Sequence, residues 1–377
     1  MKSLLIITAL PNSLKAFLLP FAAHFRAQGW RVDAMANGVS TSTECLQAFD
    51  HVWDVDFSRN PLDKTNLLIA PPQIRAVVTR EKYDIVHVHM AVAAFVTRYA
   101  LKDLRKQGKF KIIYTTHGFN FYLGGVPLQN AIFLTLEKLA GRWTDYIVTI
   151  NREDEEAAKQ YQILPKERVR YMPGIGVDSD RYNINTVTNA DVMQVRQEMG
   201  LALETQLFLS IAEFIPRKRH PDMLKAMARL AKPEACLAFV GDGVLKEQMQ
   251  KLACELGVQN QVRFLGFRRD IPTLLRASVA TVLVSEQEGL PRSLMESFCL
   301  QIPAIGTDIR GIRDLLETGC GLLVKVGDID ALASAMSWIL EHPDEAQAMG
   351  KRGQEMMAIY DLRQILQLHE TLYAEAL

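Results

Sequence analysis

Short apolar runs alternate with amphipathic stretches over most of the 377 residues. In the first half, β-rich runs stand near 3–8, 30–36, 51–56, 84–89, 110–116, 145–150 and 168–172. A 3.6-residue period fills the intervals, as in Leu14 to Gln28, Gln73 to Arg80 and Ala93 to Lys106. This alternation predicts a parallel sheet covered by helices on both faces. Around 178–204 the pattern fades, and the polar stretch from Asp178 to Ala190 reads as a linker. Strand signals then resume near 206–212, 236–241, 261–265, 279–284, 303–306 and 321–324, and everything from Ile329 to Leu377 reads as helix. The organisation predicted is two doubly wound α/β domains, 1–180 and 200–355, followed by a helix over 356–377. In such sheets ligands sit beyond the carboxyl ends of the strands, so polar residues just after each strand carry the chemistry.

Composition removes several classes. Hydrophobic residues make up 49% and charged residues 23% of the chain, far too apolar for a disordered one. The 43 basic and 43 acidic side chains cancel, which argues against a dedicated nucleic-acid binder. The balance is uneven along the chain: residues 1–180 hold 22 Lys and Arg against 18 Asp and Glu, and the remainder holds 21 against 25. The five scattered cysteines form no Cys-x-x-Cys pair and read as reduced thiols in a cytosolic protein. The apolar run at Leu4–Ile7 is too short for a signal peptide, and no apolar stretch reaches the length of a membrane span.

The most informative segment is Ser285-Glu286-Gln287-Glu288-Gly289-Leu290-Pro291-Arg292-Ser293-Leu294-Met295-Glu296. A strand ends, a loop carries Glu288 and Gly289, Pro291 stands at the expected first helical position, and Glu296 follows about one and a half turns later. A helix start binds phosphate, and carboxylates suit sugar or ribose hydroxyls. Two glutamates eight apart also occur on plain exposed helices; the strand–loop–proline–helix setting is what favours a site.

This segment closely resembles the E-x7-E signature of the family 4 retaining glycosyltransferases, whose fold is GT-B. The likeness continues through Phe239-Val240-Gly241-Asp242-Gly243, Val262 to Phe267, Ile302 to Asp308 and Gly319 to Val324, over nearly all of 206–335. It implies two Rossmann-like domains facing a cleft, with the C-terminal helix returning to the first. It further implies that Glu296 binds the ribose, that Glu288 meets the donor sugar, and that backbone groups at Gly289, Leu290, Arg292 and Ser293 face sugar and diphosphate. Lys218, in Ile215-Pro216-Arg217-Lys218-Arg219-His220, fits the family lysine, a cation for the leaving diphosphate. The family's arginine some five residues earlier is absent, since Ala212 and Glu213 stand there; Arg217 is the candidate substitute, with a solvated helix start as the plain alternative for Arg217 and Arg219. Backbone around Gly266–Arg269 would take the base.

In the first half, His117 and Gly118 in Tyr114-Thr115-Thr116-His117-Gly118-Phe119 follow a strand. The resemblance places His117 at the reacting centre, with Asn12, His89, Gly118 and Phe119 on the acceptor side. The segments Asp56-Phe57-Ser58-Arg59-Asn60-Pro61-Leu62, Tyr83 to His89, Thr149 to Asp154 and Pro173 to Asp178, with Glu137 and Asp145, are similar to one bacterial subgroup. That subgroup extends lipid-linked oligosaccharides for capsule, exopolysaccharide or O-antigen.

His87 and His89 share a strand face and with His117 have metal-ligand spacing, but no carboxylate or cysteine completes a set. Three Asp-x-Asp triplets, at Asp54, Asp178 and Asp328, read as strand-end and turn aspartates. A metal-independent reaction without cofactor is the expectation. The basic run Arg98, Lys102, Arg105, Lys106, Lys109 and Lys111 is either a solvated helix face or a peripheral contact with anionic lipid. Phe17, Leu18, Leu19, Phe21 and Phe25 would reach lipid or, more simply, pack on the sheet. The reading that results is a cytoplasmic transferase on the inner face of the plasma membrane, moving sugar from a nucleotide-sugar, a UDP-sugar by preference, to a polyprenyl-diphosphate-linked saccharide. The rivals are a nucleotide-sugar 2-epimerase of the same fold and a non-catalytic sugar- or lipid-binding scaffold.

Overall fold

The computed structural model describes residues 1–58 and 60–377, so Arg59 of the Asp56–Leu62 segment lies outside the described residues. The chain forms two compact units, Met1–Ile175 with Ile365–Leu377, and Gly176–Gln364. The first holds β1 (Ser3–Ile7), β2 (Arg31–Ala36), β3 (Val52–Asp54), β4 (Ile85–His89), β5 (Lys111–Thr116), β6 (Tyr146–Thr149) and β7 (Val169–Tyr171). These pair in parallel in the order β3-β2-β1-β4-β5-β6-β7. The second holds β8 (Gln206–Ile211), β9 (Ala235–Val240), β10 (Val262–Gly266), β11 (Ala280–Leu283), β12 (Ala304–Thr307) and β13 (Gly321–Val324), also parallel, in the order β10-β9-β8-β11-β12-β13. Every strand expected from the apolar pattern is present. Such runs as Leu4–Ile7 and Leu207–Leu209 are fully buried because helices cover both faces of each sheet.

Three local expectations change. The stretch taken as a linker belongs to the second unit: Tyr182, Val195 and Met199 are buried in its core, and Thr188 and Asp191 form a capping box on the helix Asn189–Glu198. That helix buries little besides Val195, so its apolar period was faint. The first helix is broken. Pro20 stands at the second position of Leu19–Ala27, and the preceding turn, Leu14–Leu18, widens to a π-helix. Leu18, Phe21 and Phe25 are buried there, which accounts for them by packing. Finally, the C-terminal helix is Leu362–Ala376; from Ile365 onward it belongs to the first unit, where Tyr373 and His369 are buried.

The basic run is not one solvated face. Arg98 is completely buried in the helix Ala91–Arg105. Its Nη2 donates to Glu137 Oε2 at 2.9 Å, its Nε to the Ala94 carbonyl at 3.0 Å, and its guanidinium lies 4.1 Å from the centre of the Tyr114 ring. The Tyr114 hydroxyl reaches Glu137 Oε1 at 3.3 Å. Arg105 is likewise spent on Asp145, in a two-pronged pair of 2.8 and 2.9 Å. Lys106 and Lys109 remain exposed.

A buried charge that loses its partner is costly, whereas an apolar replacement of both partners is not. Arg98→Met alone is therefore expected to lower the unfolding free energy by about 3–5 kcal/mol in urea titration. Adding Glu137→Leu should restore most of that loss. A single substitution without effect would mean that the pair carries no weight.

Candidate active site

In the second unit the chain order of strands reverses at β8, which lies between β9 and β11. Loops from two distant parts of the sequence thereby emerge side by side. The loop after β8 brings Arg217, Lys218 and Arg219; the loop after β11 brings Glu286 and Glu288. The Glu286 N–H donates to the Arg217 carbonyl at 2.8 Å, joining the two loops by backbone. Lys218 Nζ pairs with Glu288 Oε1, and Arg219 Nη1 with Glu286 Oε1 at 2.6 Å. Arg217 is exposed and its side chain makes no ion pair among the described residues. Arg219 is spoken for by Glu286 and Asp222.

The Glu288 loop is fixed from behind. Thr307 Oγ1 donates to the Ser285 carbonyl at 2.6 Å, and the buried Arg310 donates through Nε to the Glu288 carbonyl at 3.2 Å. Gly311, at φ +74°, backs directly on the same loop; a β-carbon there would stand 2.1 Å from the Gly289 carbonyl oxygen. Only glycine fits that approach.

Pro291 proves to be the cap of the helix rather than its first residue. It is extended, with φ −74° and ψ 113°, and the helix runs Arg292–Cys299. Arg292 and Ser293 thus form the first turn, where backbone N–H groups have no intrahelical acceptor. Leu290 is half-buried against the core of the unit. Glu296 is buried, paired with Arg292 Nε at 2.9 Å and hydrogen-bonded by Tyr182. Burial raises its carboxyl above the usual range, against the pull of Arg292, Tyr182 and Arg181. Tyr182 and Arg181 were missed in the sequence because their stretch read as a linker.

Gly266 ends β10 at φ +66°. Its carbonyl accepts the Gly241 N–H at 2.9 Å, and Asp242 Oδ2 accepts from the neighbouring Phe267 N–H at 3.1 Å. The Phe267 ring stands out in solvent beside them.

In the first unit β4 and β5 are neighbours, so His89 and His117 meet, Nδ1 to Nε2, at 3.1 Å. His87 is committed elsewhere. Its Nδ1 pairs with the Tyr373 hydroxyl at 2.6 Å and its Nε2 with Thr115 Oγ1 at 2.7 Å. His89 is buried and its Nε2 has no partner. A buried bare nitrogen costs less than a buried orphan N–H, so the network assigns the His89 proton to Nδ1. His89 then donates to His117 Nε2, which leaves the proton of neutral His117 on Nδ1. His89 is thus in contact with His117. Gly118 lies at φ +115° beside them, and Asn12 is exposed in the turn after β1. Phe119 is a correction: its ring is buried in the core, stacked on Phe121, and its N–H donates to Asp154 at 3.1 Å, so its ring has no free face for an acceptor. The Asp-x-Asp aspartates serve turns and caps: Asp178 accepts from the Asp180 and Arg181 N–H groups, and Asp328 caps the helix Ile329–Glu341.

Sequence comparison places this geometry in a family. Residues 16–181 match the profile described as Glycosyltransferase Family 4, and residues 192–356 that described as Glycosyl transferases group 1. EpsD of Bacillus subtilis, a glycosyltransferase by name, is 32% identical over 94% of this chain and 91% of its own. The chain belongs to the family 4 glycosyltransferases. Another relative in this family is an Escherichia coli enzyme named UDP-Gal:alpha-D-GlcNAc-diphosphoundecaprenol alpha-1,3-galactosyltransferase; it is 26% identical over 69% of this chain and 67% of its own. Among solved structures, Anabaena HepE in complex with UDP and glucose superposes with a TM-score of 0.81 at 21% identity, covering 99% of this chain and 100% of that one. The fold is GT-B.

The buried histidines are expected to make the protein acid-sensitive. Burial pulls His117, His369 and His220 down to about 4, and holds His87 and His89 well below 6.5. Below pH 6.5 the unfolded chain takes up protons that the folded chain refuses, so stability is lost as the pH falls from 6.5 towards 4. For His117, His369 and His220 a depression of this size corresponds to about 3 kcal/mol each at the acid end. Four of the five lie in the first unit, so hydrogen exchange at pH 5 should lose protection there before the second unit. Equal protection at pH 7.5 and pH 5 would contradict the burial.

Proposed function

We propose that this glycosyltransferase moves a sugar, with retention, from a UDP-sugar to a polyprenyl-diphosphate-linked saccharide in cell-surface polysaccharide biosynthesis. The observation that carries the reading is the convergence in one unit of Lys218, Glu288, the helix start at Arg292 and the buried Glu296. A nucleoside diphosphate needs cations and free N–H groups at its phosphates, and carboxylates at its ribose and sugar hydroxyls. All four stand on two adjacent loops and the helix that follows one of them. The choice of UDP and of a lipid-linked acceptor is supported by the UDP complex of HepE and by the name of the E. coli relative.

In this mechanism the diphosphate replaces Glu288 as the partner of Lys218. Lys218, the exposed Arg217 and the N–H groups at Arg292 and Ser293 then stabilise the charge that develops as the leaving group departs. These cations take the place of a metal. Released from Lys218, Glu288 accepts from donor-sugar hydroxyls. Glu296 holds the ribose, fixed by Arg292 and Tyr182, and Gly266 leaves the backbone beside it open to the base. In the first unit, His117 offers its Nδ1–H to a sugar hydroxyl. Acceptor attack and departure take place on one face, and the leaving diphosphate oxygen takes the acceptor's proton. The first unit takes the acceptor, near Asn12 and Gly118, at the inner surface of the plasma membrane.

A thermal-shift screen of UDP-, GDP- and ADP-sugars tests the donor. A ligand at one hundred times its Kd adds about 2.7 kcal/mol of stability. Glu296→Ala should abolish the shift while melting as a folded protein in circular dichroism. Lys218→Ala should keep part of the shift but lower kcat by about 10²–10³-fold. Silence of the wild type with all three nucleotides would overturn the proposal, and an epimerised sugar formed without acceptor would favour the epimerase.

A further inference from the structure

The two histidines that meet at the ends of β4 and β5 differ in what they can touch. His117 is half-buried, whereas His89 is only 2% exposed. A ring so covered offers a ligand no polar atom, and its Nε2 has no hydrogen-bond partner. Its Nδ1 stands 3.1 Å from His117 Nε2. Among the described residues that is the only hydrogen bond of the His89 side chain, and it goes to the ring that stays accessible.

The backbone is strained where it holds this contact. Met90, directly after His89, stands at φ 67° and ψ 145°, a region that glycine fills and other residues rarely enter. Gly118, directly after His117, stands at φ 115°. Strain at a residue with a side chain persists only where the surroundings over-determine it, and it clusters at functional sites. Behind His89 the packing is closed. The His87 ring stacks on it with centres 4.3 Å apart, and His87 is pinned by the Tyr373 hydroxyl at 2.6 Å and Thr115 Oγ1 at 2.7 Å. His369, with its ring centre 5.7 Å from that of His87, gives its Nδ1–H to the Ile365 carbonyl at 2.8 Å, because a carbonyl only accepts. Burial keeps all four imidazoles neutral. A neutral His89 with its proton on Nδ1 then has one acceptor for it, His117 Nε2. The nitrogen that accepts carries no proton of its own, so the proton of His117 is confined to Nδ1.

We propose that His89 is a positioning residue for His117: it meets no ligand itself, and it locks the accessible ring in the Nδ1–H form. The inference deepens the transferase reading and rests on it for its use, since Nδ1–H is the group that His117 offers to the donor sugar. Without His89 both tautomers become available, and part of the protein meets the sugar hydroxyl with a bare nitrogen in place of a donor.

Proton–nitrogen correlation spectra of the full chain, labelled with nitrogen-15 in histidine only, read the tautomer directly and need no substrate. His117→Gln identifies the His117 signals among the eight histidines. At neutral pH the wild type should show His117 protonated on Nδ1 and bare on Nε2. His89→Leu removes the donor, and His89→Gln moves its amide nitrogen to the place of Nε2; each should lower the ratio of Nδ1–H to Nε2–H at His117 by about tenfold, the weight of one hydrogen bond. His89→Asn, whose amide nitrogen stands in for Nδ1, should restore the ratio. The same order should appear in turnover, followed as UDP release from whichever UDP-sugar gives the largest thermal shift. The Leu and Gln variants should lose about tenfold in kcat with little change in donor KM, and the Asn variant should recover most of it. Circular-dichroism melts of all three confirm that folded protein is compared, and the Gln variant carries the test if the Leu variant does not fold. Three results would overturn the inference: a wild-type His117 protonated on Nε2, a tautomer ratio that neither the Leu nor the Gln variant moves, or an Asn variant as slow as the Gln variant. The donor reading is judged separately. Silence of every nucleotide-sugar in the thermal-shift screen sinks the donor assignment, while the tautomer ratios still decide whether His89 sets the His117 proton.

Discussion

The pairing of Lys218 with Glu288 depends on a single topological fact, that β8 and β11 are hydrogen-bonded neighbours although about 70 residues separate them. A parallel sheet must send each strand's polar chain end into a loop at the same edge, and at the reversal of strand order two such loops have no helix between them. Everything at the site follows from that opening. The Arg217 carbonyl finds the Glu286 N–H, Lys218 finds Glu288, and the start of the helix at Arg292 lies one loop further on. The pair also means that the loops hold each other in shape before any ligand arrives. Lys218 and Glu288 are each mostly buried, and either charge left unpaired there would be costly.

The first unit solves the same problem with neutral groups. β4 and β5 bring His87, His89 and His117 to adjoining positions, and the C-terminal helix adds His369 and Tyr373. Four rings so close could not all carry charge in a buried setting, and burial keeps them neutral. Neutral imidazoles can each donate and accept, so a chain of donor and acceptor roles is set by its buried members. His87, anchored by Tyr373 and Thr115, is the fixed end; His117 is the end that a ligand could reach.

How far the sequence reveals this depends on the range of the interactions involved. All thirteen strands were legible because burial on two faces writes itself as continuous apolar runs. The Glu288–Glu296 segment was legible because its strand, loop and helix are contiguous. What was not legible was every partner supplied from a distance. Glu296 is held by Tyr182, 114 residues earlier, from a stretch whose helix shows too little apolar surface to announce itself. Arg98 read as one of six solvated cations, since nothing local marks it as the arginine whose carboxylate lies 39 residues on. Phe119 stands beside His117 in sequence, yet its ring turns into the core while the His117 ring stays at the strand end against His89. The position of Pro291, one residue outside the helix, differs only through ψ, which the residue type does not dictate.

Arg98 also explains an oddity of the helix Pro127–Gly141. A helix usually docks by burying its apolar face, and this one keeps much of that face in water. It is held instead by polar and backbone fits near its carboxyl end: Glu137 to Arg98 and Tyr114, and Gly141 so close to the chain that a β-carbon would stand 2.2 Å from the Ile163 carbonyl oxygen. Because the anchoring charge points inward, the outward face is left both apolar and free of acid. The buried ion pair and the exposed leucines are therefore two sides of one arrangement. A helix fixed by its polar residues has its apolar ones to spare.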